Sequence, residues 1–237
     1  MAAGTDLGAR TLPIVLSVIA GSTDIIGFLG LNGLFTAHIT GNLVVLAAHV
    51  VAGQPTIFSY ILSVPVFMLV LLLTRLLARG LESAGRDTLG PLLLLQLLSL
   101  AVFLVLCIAA GPWTDPNATA AVFAGMFGVA AMAMQNALVQ ISLRNTPTTA
   151  VMTTNVTHFM LDLGGALVGG DRAEAAKARS RAMHTLPVII GFATGCGLGA
   201  ACEAAAGLWS LAMPTGLALL AFAMGVWFAG AEPKSPS

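Results

Sequence analysis

The stretch 36-TAHITGN-42 is polar, yet it lies between two segments that are apolar enough to enter a membrane. It contains His38, Thr40 and Asn42, and Asp24 lies within the apolar segment that precedes it. Such a group of side chains is either a loop between two membrane spans or a site inside the bilayer. The composition and the charge pattern of the whole chain bear on that choice.

Composition indicates an integral membrane protein. Hydrophobic residues make up 57% of the chain, charged residues only 8%, and the mean hydropathy is +0.94. A soluble domain carries about a quarter charged residues, so most of this chain cannot face water. The formal net charge of zero offers no basic surface for nucleic acid.

Six stretches are apolar and long enough to cross a bilayer, for which a helix needs ~20 residues. They are 11–31, 57–79, 90–111, 118–142, 184–205 and 208–229. Two further segments, 37–53 and 148–169, have a helical pattern but are unusually polar. We therefore expect an all-α integral membrane protein with about six spanning helices and two polar re-entrant or broken helical segments.

The placement of arginine and lysine favours six spans. If both polar segments enter and return on the same side, Arg79 and Arg179 share the cytoplasmic side, as do the other basic residues. Crossing of the membrane by both segments would put one basic group outside, against the positive-inside rule. Seven or eight spans stay an alternative, because segment 148–169 would be ~33 Å long as a helix.

The two polar segments resemble each other, which indicates an internal duplication. Two short elements in the first half match two in the second half at a constant offset: Thr36-Ala37 and Thr40-Gly41-Asn42 with Thr149-Ala150 and Thr153-Thr154-Asn155. Upstream, 21-GSTDI-25 resembles 133-AMQNA-137, which pairs Asp24 with Asn136 after a one-residue adjustment.

We therefore divide the single membrane domain, residues 1–237, into a first repeat at 11–111 and a second repeat at 118–230. Each repeat contains three predicted spans, and an odd number gives the two repeats opposite orientations. Inverted repeats of this kind are common in secondary transporters, where the solute binds near the midplane between the repeats.

Four stretches together resemble the YoaK family of bacterial membrane proteins: 21-GSTDIIGFLG-30, 33-GLFTAHITGN-42, 134-MQNALVQ-140 and 148-TTAVMTTNVT-157. The resemblance covers essentially the whole chain. It implies a multi-pass protein of the bacterial inner membrane with about six spans and no established biochemical activity. It implies no site residues.

If both short helices begin inside the membrane, their N-termini approach each other and present free N–H groups to a solute. Polar residues in and before their first turns would then bind that solute. The predicted solute-binding residues are Thr36, Thr40, Asn42, Asn136, Thr149, Thr153 and Asn155. The alternative is that these side chains only bind neighbouring helices, as Thr and Asn often do in membranes.

Asp24 is predicted to couple solute movement to protons. A carboxyl group within a membrane span is costly and is therefore a candidate for function. We expect burial to favour its protonated form unless a cation or several hydrogen-bond donors hold the charged form. His38 is expected within reach of Asp24, and imidazole titrates near physiological pH. The alternative is a purely structural hydrogen bond.

The predicted function is a secondary transporter or facilitator for a small polar solute, anions included. A passive channel and a membrane scaffold or assembly protein are the alternatives. We do not expect an enzyme, because Asp24 and His38 are the only candidates for a catalytic pair. We predict no cofactor and no metal site. The expected partners are the solute and the lipid bilayer, with a homodimer through glycine-rich helix faces as a further option.

Overall fold

The computed structural model of the protein describes residues 2–113, 115–143, 146–168 and 171–231, with side chains described between 11 and 227. Within these ranges every regular element is helical. The helices are α1 (Ala2–Gly30), α2 (Ile39–Val51), α3 (Phe58–Ser83), α4 (Leu89–Ala110), α5 (Thr119–Ser142), α6 (Met152–Val168), α7 (Arg172–Ala206), a 3₁₀ helix (Gly207–Leu211) and α8 (Ala212–Ala231).

Five stretches of the described chain are long and apolar enough to cross a membrane: Thr11–Gly30, Phe58–Ser83, Leu89–Ala110, Thr119–Ser142 and Arg172–Trp227. The last of them contains both α7 and α8, separated by the 3₁₀ helix at Gly207, whose φ is +57°. The chain therefore has the helices of a multi-pass membrane protein. A count of six spans, with α7 and α8 crossing separately, stays a prediction.

Helix α3 shows why this chain folds against lipid. Its buried face contains Ser59, Ser63 and Thr74, whereas Leu72 and Leu73 are 56% and 54% exposed. In a soluble protein the leucines would be inside and the hydroxyls outside. Here the hydroxyl groups can bond to the backbone of their own helix. For example, the Oγ of Ser63 donates to the backbone oxygen of Tyr60. The outer leucine face suits hydrocarbon.

Glycines bring the backbones of α1 and α7 into direct contact. A Cβ atom at Gly21 would lie 2.3 Å from the backbone oxygen of Phe192, and one at Gly195 would lie 2.3 Å from that of Val18. Both distances are far below van der Waals contact. The glycine ladder of α7 therefore packs against α1 of the same chain. A homodimer stays a prediction that would need another surface.

Both predicted polar segments form a short helix that follows a break in the chain. Residues 31–38 connect α1 to α2 without helical structure, and α6 begins only at Met152, after α5 ends at Ser142. With 13 residues, α2 is about 20 Å long, which is short for a span. Helix α2 packs on α3 and α6 packs on α7, and the meeting of their N-termini stays a prediction.

Part of the non-helical segment 31–38 is buried between α1 and α5. Leu34 and Thr36 have no exposed surface, and Ala37 is 7% exposed, whereas Asn32 is exposed. A Cβ atom on Gly27 of α1 or on Gly128 of α5 would lie 2.9 Å from Cγ2 of Thr36. The backbone around Thr36 therefore lies in the core and needs partners other than water.

Candidate functional site

Asp24 supplies hydrogen-bond partners for the buried backbone around Thr36. Its carboxyl group is on α1, the residue is 4% exposed, and its Oδ1 accepts hydrogen bonds from the backbone N–H groups of Thr36 at 2.8 Å and Ala37 at 2.7 Å. The N–H of His38 makes a longer contact of 3.4 Å with the same oxygen. Unpaired backbone groups at membrane depth would each cost several kcal/mol, so this carboxylate holds the segment in its buried position.

The second carboxylate oxygen binds His38. Its Oδ2 lies 2.6 Å from Nδ1 of the imidazole, and the two side chains are 6% and 40% exposed respectively. The two residues thus lie within reach of each other, as the sequence indicated. Because a carboxylate only accepts, Nδ1 carries the hydrogen, which leaves Nε2 as the nitrogen that can exchange a proton or bind a solute.

Hydrogen bonds occupy both oxygens of the Asp24 carboxyl group. Oδ1 binds the backbone of Thr36 and Ala37, and Oδ2 binds His38. Proton coupling through this pair stays a prediction. His38 is the more accessible member of the pair and the better candidate for proton exchange.

His38 borders a cavity of about 470 Å³. The cavity is lined by Asp24, Ile25, Phe35, His38, Thr40, Gly41, Val44, Phe192 and Cys196. The imidazole lies between two aromatic rings, with centroid distances of 6.0 Å to Phe35 and 5.6 Å to Phe192. The walls are therefore mostly apolar, and the polar groups are gathered around His38 and the first turn of α2.

The side-chain amides of Asn42 and Asn155 make hydrogen bonds within the protein. Asn42 is fully buried, and its Oδ1 and Nδ2 bind the backbone N–H and carbonyl of Phe35 at 2.9 and 2.8 Å. Asn155 is 3% exposed, donates to the carbonyl of Thr148 at 2.6 Å and accepts from the Thr148 hydroxyl at 3.2 Å. Each amide fixes the non-helical segment in front of its own helix. Solute binding by either residue stays a prediction without support from these contacts.

Gln135 is not among the predicted site residues, but its contacts in the second half correspond to those of Asp24 in the first half. Its Nε2 donates to the hydroxyl of Thr149 and to the carbonyl of Leu16, both at 2.8 Å, and its Oε1 accepts from Gln96 at 2.7 Å. The predicted counterpart, Asn136, instead donates to Met132 on its own helix. Gln135 lies beside Asn136 in 133-AMQNA-137, and its contact with the Thr149 hydroxyl matches that of Asp24 with the Thr36 hydroxyl. Solute binding by Asn136 stays a prediction.

The remaining predicted solute-binding residues are not brought together. Thr40 borders the cavity, whereas Thr36 is enclosed at the Asp24 carboxylate and Thr149 is enclosed at Gln135. Thr153 is exposed in the first turn of α6. The structure therefore divides the predicted constellation into two centres, one in each half, and only the first borders the cavity.

A family model described as "Protein of unknown function (DUF1275)" matches residues 12–229. No curated protein and no solved structure matches the chain significantly. The resemblance to the YoaK family stays a prediction.

Proposed function

We propose that this protein, which belongs to the DUF1275 family, is a secondary transporter or facilitator for a small polar solute. The description of the family names no function. The observation that carries the proposal is the position of His38. Asp24 fixes its imidazole at 2.6 Å, and the ring borders a cavity of about 470 Å³ at the start of α2. We place the protein in the bacterial inner membrane on the sequence resemblance.

A purely structural role explains Asp24 but not the cavity. Holding the segment 31–38 requires the Oδ1 of Asp24, which binds the backbone of Thr36 and Ala37. It does not require an imidazole on Oδ2 that is 40% exposed and faces open space. Charged and titratable groups inside membrane proteins are costly and usually mark pathways for solutes, ions or protons.

The cavity walls define the chemistry of the solute. His38 and the hydroxyl of Thr40 can bind a polar end. Phe35, Val44 and Phe192 would contact an apolar part. The site therefore fits a small solute with a polar end, anionic groups included, and a compact apolar body. Such a ligand is typical of pockets with few polar groups on apolar walls.

Contacts between α1 and α5 agree with two halves of opposite orientation. Gln135 of α5 reaches Leu16 of α1, while Gly128 and Gly27 lie on either side of Thr36. Residue numbers that rise along α1 fall along α5, so the two helices run antiparallel at this contact. Since each helix precedes one broken segment, we propose that residues 11–111 and 118–230 are inverted repeats that move against each other around the site.

The native cysteines allow a direct test. Cys196 borders the cavity, whereas Cys107 is 1% exposed. In sealed proteoliposomes of a Cys202→Ser variant, we expect a small membrane-impermeant thiol reagent to label Cys196 and to leave Cys107 unlabelled. A metabolite found by thermal-shift screening should protect Cys196, and His38→Gln should abolish that protection.

Three outcomes would oppose the proposal. An unreactive Cys196 from both sides of the vesicle would mean that water does not reach the cavity, which would favour a scaffold or assembly protein. Protection that survives His38→Gln would place the solute elsewhere. Flux that is not saturable would indicate a passive channel.

A further inference from the structure

A second cleft, of about 510 Å³, lies between α6 and α7. Its polar lining includes His158 and Asp162 from α6, together with Ser180, Arg181 and His184 from α7. Arg181 and Cys196 lie fifteen residues apart on α7, which is about 22 Å along a helix. This cleft is therefore separate from the cavity at His38.

An ion pair orients the arginine in this cleft. Asp162 accepts from Nε of Arg181 at 2.8 Å and from one terminal nitrogen at 2.6 Å, both through the same oxygen. Guanidinium has five N–H donors in a fixed plane, so this pair leaves donors that point away from Asp162. The arginine side chain is 62% exposed and can reach a ligand.

Neighbouring charges set the charge of that ligand. Arg181 also borders an adjoining cleft of about 320 Å³ that contains Lys177 and Glu174. Two cations and two carboxylates surround the two clefts, counting Asp162 with Glu174, so their formal charges sum to zero. This balance disfavours a dianion such as free phosphate. A group with a single negative charge can still bind through the N–H donors of Arg181 that Asp162 leaves unused.

Exposed apolar side chains lie beside these charges. On α6, Leu161, Leu167 and Val168 are 69%, 77% and 86% exposed, and Met183 on α7 is 58% exposed. The charged start of α7 thus meets an apolar surface within two helical turns of Arg181. A molecule that satisfies both surfaces has an anionic head and long apolar chains.

We propose that the α6–α7 cleft binds the phosphodiester headgroup of an anionic phospholipid through Arg181, with the acyl chains on the exposed face of α6. This goes beyond a general attraction of basic residues to the membrane surface, because it assigns one residue and one cleft. It does not depend on solute transport.

The test uses the full-length protein in detergent, with phosphatidylglycerol and phosphatidylcholine as probes and native mass spectrometry as the readout. We expect phosphatidylglycerol to bind in preference to phosphatidylcholine. Arg181→Gln should weaken binding of phosphatidylglycerol about tenfold, as expected for a charge-assisted hydrogen bond. Arg179→Gln removes the same charge from an exposed position outside both clefts and should change binding little.

Asp162→Asn guards against loss of structure in the arginine variant. It keeps Arg181 and removes a carboxylate that repels phosphate, so phosphatidylglycerol should bind more tightly. Weaker binding in this variant, or equal losses in Arg179→Gln and Arg181→Gln, would overturn the proposal. Competition by submillimolar inorganic phosphate that depends on Arg181 would also overturn it, because the cleft would then serve soluble phosphate compounds.

Discussion

The side-chain amides of Asn42 and Asn155 each donate to the backbone carbonyl seven residues earlier, that of Phe35 in the first half and that of Thr148 in the second. The two asparagines thus perform the same task in corresponding segments. Each closes a non-helical segment onto the first turn of the helix that follows it. The contacts of the two asparagines therefore match as support for the backbone, and solute binding by them stays a prediction.

Asn42→Leu should destabilise the protein. The change removes both partners of the buried backbone of Phe35, and an unpaired buried group costs about 1–3 kcal/mol. Asn155→Leu should act in the same direction at Thr148, while Thr153→Val, at an exposed position, should have little effect. Thermal unfolding in detergent measures all three. If Asn42→Leu keeps a normal melting temperature but loses solute binding, Asn42 binds the solute and does not mainly support the backbone.

Gln135→Leu should be far more damaging than Asn136→Leu. The first change leaves the hydroxyl of Thr149 and the amide of Gln96 without this partner and removes a hydrogen bond to the carbonyl of Leu16, whereas the bond described for Asn136 lies within its own helix. We expect a loss of about 2 kcal/mol or more for Gln135. The melting temperatures of the two variants give the comparison. Equal effects would mean that the two neighbours share the supporting role.

Asp24→Asn should remove proton coupling while leaving the fold intact. An amide oxygen can still accept from Thr36 and Ala37, but an amide cannot pair with an imidazolium at His38. Solute exchange between equal pools should continue, whereas accumulation against a gradient should stop. Uptake into proteoliposomes with an imposed pH gradient measures this. Asp87→Asn, at an exposed position, is the control, and accumulation by Asp24→Asn at the parent level would exclude coupling through this carboxyl group.

Gly195→Ala should disrupt the contact between α1 and α7. Its new methyl group would lie 2.3 Å from the backbone oxygen of Val18, and such overpacking costs about 1–3 kcal/mol. Gly197→Ala is the matched control two residues away, with no atom within 4 Å of its Cβ in the described structure. It should keep or raise the melting temperature, because Ala favours helix over Gly. A tolerated alanine at 195 would mean that α1 and α7 can separate at little cost.

Arg79 and Arg179 should lie on the same side of the membrane. Both are exposed, so a cysteine at either position in a background without native cysteines can be labelled in sealed vesicles. Reaction of both from one side agrees with six spans. Labelling from opposite faces would mean that a broken segment crosses the bilayer, and the inverted-repeat interpretation would then fail.

Most of the fold could be predicted from the apolar stretches of the sequence and the polar segments between them. The predicted polar segments 37–53 and 148–169 contain α2 and α6, and both helices start after a break rather than within a continuous span. The proximity of Asp24 to His38 followed from the short connection between them. Such features depend on residues close in the chain, where local physics decides the outcome.

Contacts that depend on helix rotation could not be predicted. Adjacent residues of a helix point about 100° apart, so the choice between Gln135 and Asn136 rests on how α5 is turned against α1. For the same reason, the ion pair between Asp162 of α6 and Arg181 of α7 could not be predicted from the sequence.

The burial of segment 31–38 also constrains the order of assembly during synthesis. Thr36 leaves the ribosome 92 residues before Gly128, the α5 residue that packs over it. At roughly 5–20 residues per second, the 92 residues take about 5–18 seconds to synthesise. Asp24 can bind Thr36 and Ala37 during that time, because all three are already present in the nascent chain. The carboxyl group can therefore pair with this backbone before α5 exists to cover it.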